Sequence, residues 1–343
     1  MKRRNIFLTF GVLFVMLGLT LILAIAIGAV AIPPGVTLQV LLSRIGLGDI
    51  SGVSGSTVDI IWRLRLPRVI LGMLVGASLS LAGATFQGLL RNPLADPFTI
   101  GVSSGAAVGA TIAILLRQLG VLFFPHMLPA FAFVGAFLAM FFIYNLAKIG
   151  GQVPVVTLLL AGVVVSSFLS AIISLIMVFS GQNMQGIFFW LSGGLMMRSW
   201  TEVWFVLPYL LVGFLVLFFY ARELNILLMG EEAALHLGVR VEFTKKLLLV
   251  IASLVTAAAV SVSGMIGFVG LIVPHAVRIV SGPDHRVLLP ASALVGAIFL
   301  VWADVFARTA VAPQEIPVGI ITAFVGAPFF IYLLRKKKKD IRL

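Results

Sequence analysis

The 343-residue sequence contains no cysteine. That excludes disulfide staples, thiolate metal sites and thiol nucleophiles. Charge is scarce as well. Only 10% of residues are Asp, Glu, Lys or Arg, where a soluble domain carries about 25%. Carboxylates are the rarer sign, 12 against 24 basic residues, for a net charge of +12. No stretch reads G-x-x-x-x-G-K-[ST]. The backbone cradle and lysine that hold nucleotide phosphates are therefore missing, and the chain is not expected to be an enzyme that hydrolyses ATP. His236, His275 and His285 stand at no spacing that puts two metal ligands on one helical face, so no metal site is assigned. No linker-like stretch divides the chain, which reads as one domain over 1–343.

Apolar residues fill the space. They make up 61% of the chain, with a mean hydropathy of +1.18, more than one soluble core of this length can hide. Runs of 18 or more apolar residues recur, as helices in lipid require. Their continuity excludes a β-barrel, whose segments are short and alternating. Ten spans are expected, at about 6–32, 67–90, 99–116, 127–146, 155–178, 204–220, 243–263, 266–280, 288–307 and 317–334. The fold class is thus an all-α polytopic membrane protein. The first run is longer than the roughly 7–15 residues of a signal-peptide core and is read as a retained helix.

An even number of spans puts both termini on one side. Most Lys and Arg residues fall there, including the tail "RKKKKDIRL"; Arg44, Arg63, Arg65, Arg68, Arg117, Arg198 and Arg308 fall on the other. The positive-inside rule places both termini in the cytoplasm. The basic excess is then a matter of topology and anionic headgroups, not of nucleic acid.

Polar interruptions are few enough to read singly. "LLMGEEAALHLGV" (227–239) sets Glu231, Glu232 and His236 among leucines between the sixth and seventh spans. Residues 225–239 are expected to form one short amphipathic segment. Leu227, Leu228, Leu235 and Leu237 would share its apolar face, with Gly238 as C-terminal cap. It is either a solvated connector or a docking helix. On the same side, Asp284, His285 and Arg286 of "GPDHR" are placed to cap a helix or to touch a partner. On the opposite side Arg65, Arg68 and Arg308 mark the ends of spans, where arginines commonly snorkel. Asp304, four residues before Arg308, is spaced for a helical pair. Ser180–Trp190 is expected to form a short helix there.

"RNPLADPFTIGVSSGAAVGA", which contains Ser103 and Ser104, and "SGMIGFVGLIVPHAVR" are Gly-rich and broken by Pro. They occupy matching places in spans two to five and seven to ten, as inverted repeats would, and broken segments of that kind line cavities. Close packing through Gly and Ala accounts equally well for any single glycine.

The stretch Glu232-Ala233-Ala234-x-x-x-Gly238, preceded by Gly230 and Glu231, resembles the coupling motif of ABC importer permeases. The stretches "RLRLPRVILGMLVGASLSLAGATFQGLLRNPLADPFTIGVSSGAAVGA", "LLLAGVVVSS", "GMIGFVGLIVPHAVRIVSGPDHRVLLP" and "ADVFARTAVAPQEIPVGIITAFVGAPFFIYLL" extend the likeness to the FecCD-type permeases of iron-chelate and cobalamin importers. The resemblance implies a cobalamin-importer-permease-like fold of ten helices in a prokaryotic cell membrane. It implies a homodimer (or a pair with a paralogous permease), a cytoplasmic ATPase dimer that uses ATP and Mg, and an extracytoplasmic substrate-binding protein. This chain would bind no cofactor. The resemblance makes residues 225–239 the coupling segment and Arg65, Arg68 and Arg308 the docking cations for the binding protein. It puts a gate at "GGQVPVVTLLLAG", where Val155 and Val156 precede Thr157; cobalamin members more often carry small hydroxyl residues there. An iron–siderophore is the expected cargo, with cobalamin or haem as alternatives. An ion-driven secondary transporter is the alternative class. It would need an intramembrane carboxylate, to which Asp304 comes nearest.

Overall fold

The computed structural model describes residues 3–28, 30–44, 46–47, 52–98, 100–121, 124, 126–181 and 184–340. Thr99, Gln182, Asn183 and Arg342 of the readings above lie outside them. The helices are α1 (Arg3–Ala26), α2 (Pro34–Arg44), α3 (Gly55–Asp59), α4 (Leu66–Leu89), α5 (Val102–Gln118), α6 (Met127–Ala147), α7 (Val155–Phe179), α8 (Met184–Leu191), α9 (Trp200–Phe219), α10 (Ala221–Leu227), α11 (Glu231–His236), α12 (Val241–Ser263), α13 (Val269–Ser281), α14 (His285–Thr309) and α15 (Val318–Asp340). Seven helical stretches are long and apolar enough to cross a membrane, and Val102–Gln118, Val269–Ser281 and Val318–Tyr332 are shorter apolar helices. Together they coincide with the ten expected spans.

Two boundaries differ: the first span ends at Ala26, short of the expected 32, and the second is longer than expected. The second span begins not at Pro67 but at Gly55, and runs unbroken to Leu89. Pro67 cannot donate a backbone hydrogen bond to the preceding turn. Directly before it, Ile60–Arg65 is wound as a π-helix, a local widening that helices use to absorb such a defect. α2, α8, α10 and α11 are short additions at the two ends of the bundle.

Burial separates centre from periphery. α4 is the central element, with 83% of its apolar window covered, whereas α1 is covered over 6%. α4 packs along α14, α12 and α13, and α5 packs along α6. In lipid there is no hydrophobic force to bring helices together, so close approach of backbones takes over. Gly76 faces Gly296 and Gly105 faces Gly135, each lying against the other's backbone carbonyl, and Gly83 lies against the carbonyl of Gly270.

The halves repeat. α4 and α12 each end in a non-helical stretch, and each following helix, α5 or α13, starts from a left-handed residue: Gly101 (φ 87°) and Phe268 (φ 68°). The two breaks meet at Asp96. This carboxylate is buried and stands beside Gly270 in the first turn of α13, where a Cβ would lie 3.0 Å from its Oδ1. The N-terminus of a helix favours a carboxylate, but burial dominates and pushes the Asp96 carboxyl up to about 7.

Candidate functional site

On the side of the termini, α9 passes through Tyr220 into α10, and the chain turns at Gly230 into α11. Gly230 has φ 116° and ψ 156°, open only to glycine. Gly238, just past α11, has φ 81°, the left-handed residue that ends a helix. The single amphipathic segment expected over 225–239 is therefore two short helices hinged at Gly230. Its expected face is also revised. Leu227 is buried, but Leu235 and Leu237 are each 60% exposed and Met229 is 71% exposed. The residue that turns inward is Ala234, fully buried, with Val239 buried just beyond it. α11 packs against α10 and α12. Ala233 is half-buried and Glu232 faces water beside Leu235 and His236. The outer face of α11 is thus an apolar surface with one free carboxylate.

Two ties hold this unit to the bundle. Lys245 of α12, 5% exposed, donates to Glu231 at 3.0 Å and to Glu242 at 3.3 Å. Asn225 of α10 bonds Asp284 and His285 at the start of α14. Asp284 caps α14 through the Arg286 N–H at 3.0 Å. His285 is fully buried and turned away from any external partner, while Arg286 is exposed. Asn225, Lys245 and Asp96 are the residues that sequence reasoning missed.

The suspected gate corner comes to the same place. A tight turn at Gly150 and Gly151, closed by reciprocal Ile149 and Gln152 backbone bonds of 2.8 and 3.0 Å, leads through Pro154 into α7. Val155 and Val156 at its start, with Arg91, Gln152, Pro154, Glu231 and Lys245, line a cavity of about 300 Å³. Thr157 is half-buried beside them. Ser103 and Ser104 are elsewhere, in the first turn of α5, where Ser103 is 1% exposed. The rest of α7 presents an exposed apolar face that includes Leu160, Val164 and Phe168. Ser167 and Ser174 on it bond carbonyls of their own helix.

At the opposite end the three arginines do not share one role. Arg65 and Arg308 are each 8% exposed. Arg65 donates to the Ile25 and Ala26 carbonyls at 2.7 and 3.1 Å and to that of Val30, and Arg308 donates to that of Ala24. Both cap the last turn of α1, whose final carbonyls have no partner within the helix. In this arrangement neither presents its guanidinium to an approaching protein. Arg68 donates to Asp304 through Nε and Nη2 and to Glu315 through Nη1 and Nη2, at 2.8–3.2 Å. The expected Asp304–Arg308 pair is the weaker contact, at 3.7 Å. Arg68 also borders a cavity of about 1090 Å³ whose walls include Arg117, His126, Trp190, Arg198 and Glu202. The short helix expected within Ser180–Trp190 is α8. Its C-terminal end is held by Gly194 N–H to the Ser263 carbonyl, 2.7 Å, at the break between α12 and α13.

The profile of the FecCD transport family matches residues 16–336. The cobalamin import system permease protein BtuC of Halobacterium salinarum is 55% identical over 287 residues, covering 84% of this chain and 76% of its own. The iron(3+)-hydroxamate import system permease protein FhuG of Bacillus subtilis is 34% identical, over 98% of both chains. Among solved structures, a putative metal-chelate type ABC transporter in an inward-facing conformation superposes with a TM-score of 0.83 at 31% identity, covering 96% of this chain and 99% of that one.

Proposed function

The chain belongs to the FecCD transport family, and from that premise we propose that α11 is the element through which a cytoplasmic ATPase drives it. As a family member it is the permease of an ABC importer for cobalamin, haem or iron chelates. The observation that supports the coupling role is the exposed face of α11. Leu235, Leu237 and Met229 stand in the open around Glu232 at the end of the bundle that carries the termini. A groove on the ATPase would bury them, as an amphipathic helix is buried in a hydrophobic groove. Glu231 and Lys245 then carry motion of α11 to the cavity bordered by Val155 and Val156.

The termini are assigned to the cytoplasm by the distribution of Lys and Arg. A second copy of the chain, or a paralogous permease, is placed against the exposed face of α7. The binding protein is placed over the opposite end. Of the three arginines expected to receive it, Arg68 is the one at the cavity wall. An ion-driven mechanism is less well supported: of the two buried carboxylates it could use, Asp304 is neutralised by Arg68 and Asp96 is bonded to the Phe98 backbone in the break between α4 and α5. The 55% identity to a cobalamin permease makes cobalamin the first cargo to test; ferric siderophore, represented at 34% identity, is the second.

Glu232→Arg is expected to abolish co-purification of the ATPase while leaving the chain folded, because residue 232 is exposed and a reversed charge in a docked face costs several kcal/mol. Wild-type recovery of the ATPase by the variant would remove α11 from the interface. Uptake of labelled cobalamin and of ferric hydroxamate, in cells expressing the chain with its ATPase and binding protein, reads the cargo. Cobalamin uptake is expected, and uptake of hydroxamate alone would reassign it.

A further inference from the structure

Asn225 sits on α10, between the last long helix before the coupling unit and the hinge at Gly230. Its carboxamide makes three contacts. Nδ2 donates to Asp284 Oδ1 at 2.7 Å. Oδ1 accepts from the backbone N–H of His285 at 2.9 Å and lies 2.8 Å from His285 Nδ1. The chemistry of the cluster leaves one assignment. An ionised carboxylate only accepts, so the amide nitrogen must face Asp284 and the oxygen must face His285. With an acceptor opposite it, His285 Nδ1 carries the proton. Asp284 thus fixes the orientation of the Asn225 amide, and the amide fixes the tautomer of the histidine.

His285 is in turn wedged against α4. Its ring is fully buried and presents its Nε2 edge to Gly88, where a Cβ would come within 2.9 Å of Cε1 and closer still to Nε2. α10 is therefore joined, through two side chains, to the first turn of α14 and the last turn of α4. α4 and α14 pack along one another extensively, and α4 ends in the break that leads to Asp96 and α5. The other tie of the unit, Lys245 to Glu231, reaches α12 instead.

We propose that Asn225, bonded to Asp284 and His285, is the positioning residue that transmits displacement of α11 to α4 and α14. This deepens the coupling role given to α11 and rests on it. The cluster converts a push on a six-residue helix into a movement of the central pair, because it is the place where α10 is bonded by side chains to both the loop and the first turn of α14. A loose connector would bend at Gly230 and dissipate the push.

The test uses the complete transporter, with ATPase and binding protein, in proteoliposomes, and reads cargo imported per ATP hydrolysed. Asn225→Leu keeps the approximate shape and removes every bond. The importer is expected to assemble and hydrolyse ATP within about twofold of wild type, while the ratio of import to hydrolysis falls about tenfold, the range of effect for a residue along a coupling route. His285→Ala should do the same. His285→Asn, which can place an amide N–H where Nδ1 stood, should restore most of the ratio. Asn225→Asp, which keeps the acceptor but faces Asp284 with a like charge, should fall between. An unchanged ratio in Asn225→Leu would overturn the proposal. So would hydrolysis and import falling together with the amount of folded protein, or equal losses in His285→Asn and His285→Ala. Failure of the wild-type chain to assemble with or stimulate its ATPase would instead refute the role of α11, and is read in the same preparation.

Discussion

Gly83→Val is expected to give no monodisperse protein in detergent, whatever its level of synthesis. A Cβ at residue 83 would penetrate the carbonyl oxygen of Gly270 and lie 2.7 Å from its Cα. Both obstacles are backbone, so no rotamer change relieves them. Accommodation requires α4 and α13 to separate along their whole contact. Ordinary overpacking costs roughly 1–3 kcal/mol because side chains can shift; here the packing of the central helix is lost. Gly11→Val is the control, since a Cβ at residue 11 meets nothing within 4 Å. Size-exclusion profiles of the two variants check the claim. A symmetric peak for Gly83→Val with wild-type thermal stability would mean that α4 and α13 are not so close.

Arg68→Met is the second large effect. Asp304 is 2% exposed, and Arg68 gives it three hydrogen-bond contacts while also binding Glu315. Removing one partner of a buried pair costs about 3–5 kcal/mol, because the other charge remains without water. Arg308, with its Nε 3.7 Å from Asp304, cannot replace those bonds while it caps α1. A fall in melting temperature is expected in the isolated chain, before any binding protein is present. Arg68→Met combined with Asp304→Leu should recover much of it, since the buried carboxylate goes with its partner and only the more exposed Glu315 is left without the arginine. If the single variant melts like wild type and loses only response to binding protein, Arg68 is a docking residue without a structural role.

What was legible in the sequence follows from the solvent. Lipid demands long apolar runs, and the ten spans stood out for that reason, including the two short broken ones, α5 and α13. Backbone punctuation was legible at Gly238, whose φ of 81° needs a glycine. Gly230 is legible as punctuation too, but its φ of 116° divides 225–239 into two helices where a single segment was expected. Side-chain partners were not legible. Nothing in "RLPR" tells that Arg65 reaches carbonyls 40 positions earlier, because a helix end lacking partners looks like any other apolar run. Asn225 and His285 are 60 positions apart, and neither residue type is unusual where it stands. Leu235 and Leu237 were assigned to the buried face by hydrophobicity alone. The structure reverses that: Ala234 is the position turned inward, and the two leucines stand in the open.

The central claim is that this chain turns ATP hydrolysis by a partner into import through α11. The most direct measurement is ATP hydrolysis by the chain and its ATPase in proteoliposomes, with and without binding protein loaded with cobalamin or a ferric chelate. Stimulation by loaded binding protein, with accumulation of cargo that persists when a protonophore is present, is the predicted result. Accumulation that continues without ATP and collapses with the protonophore would contradict it.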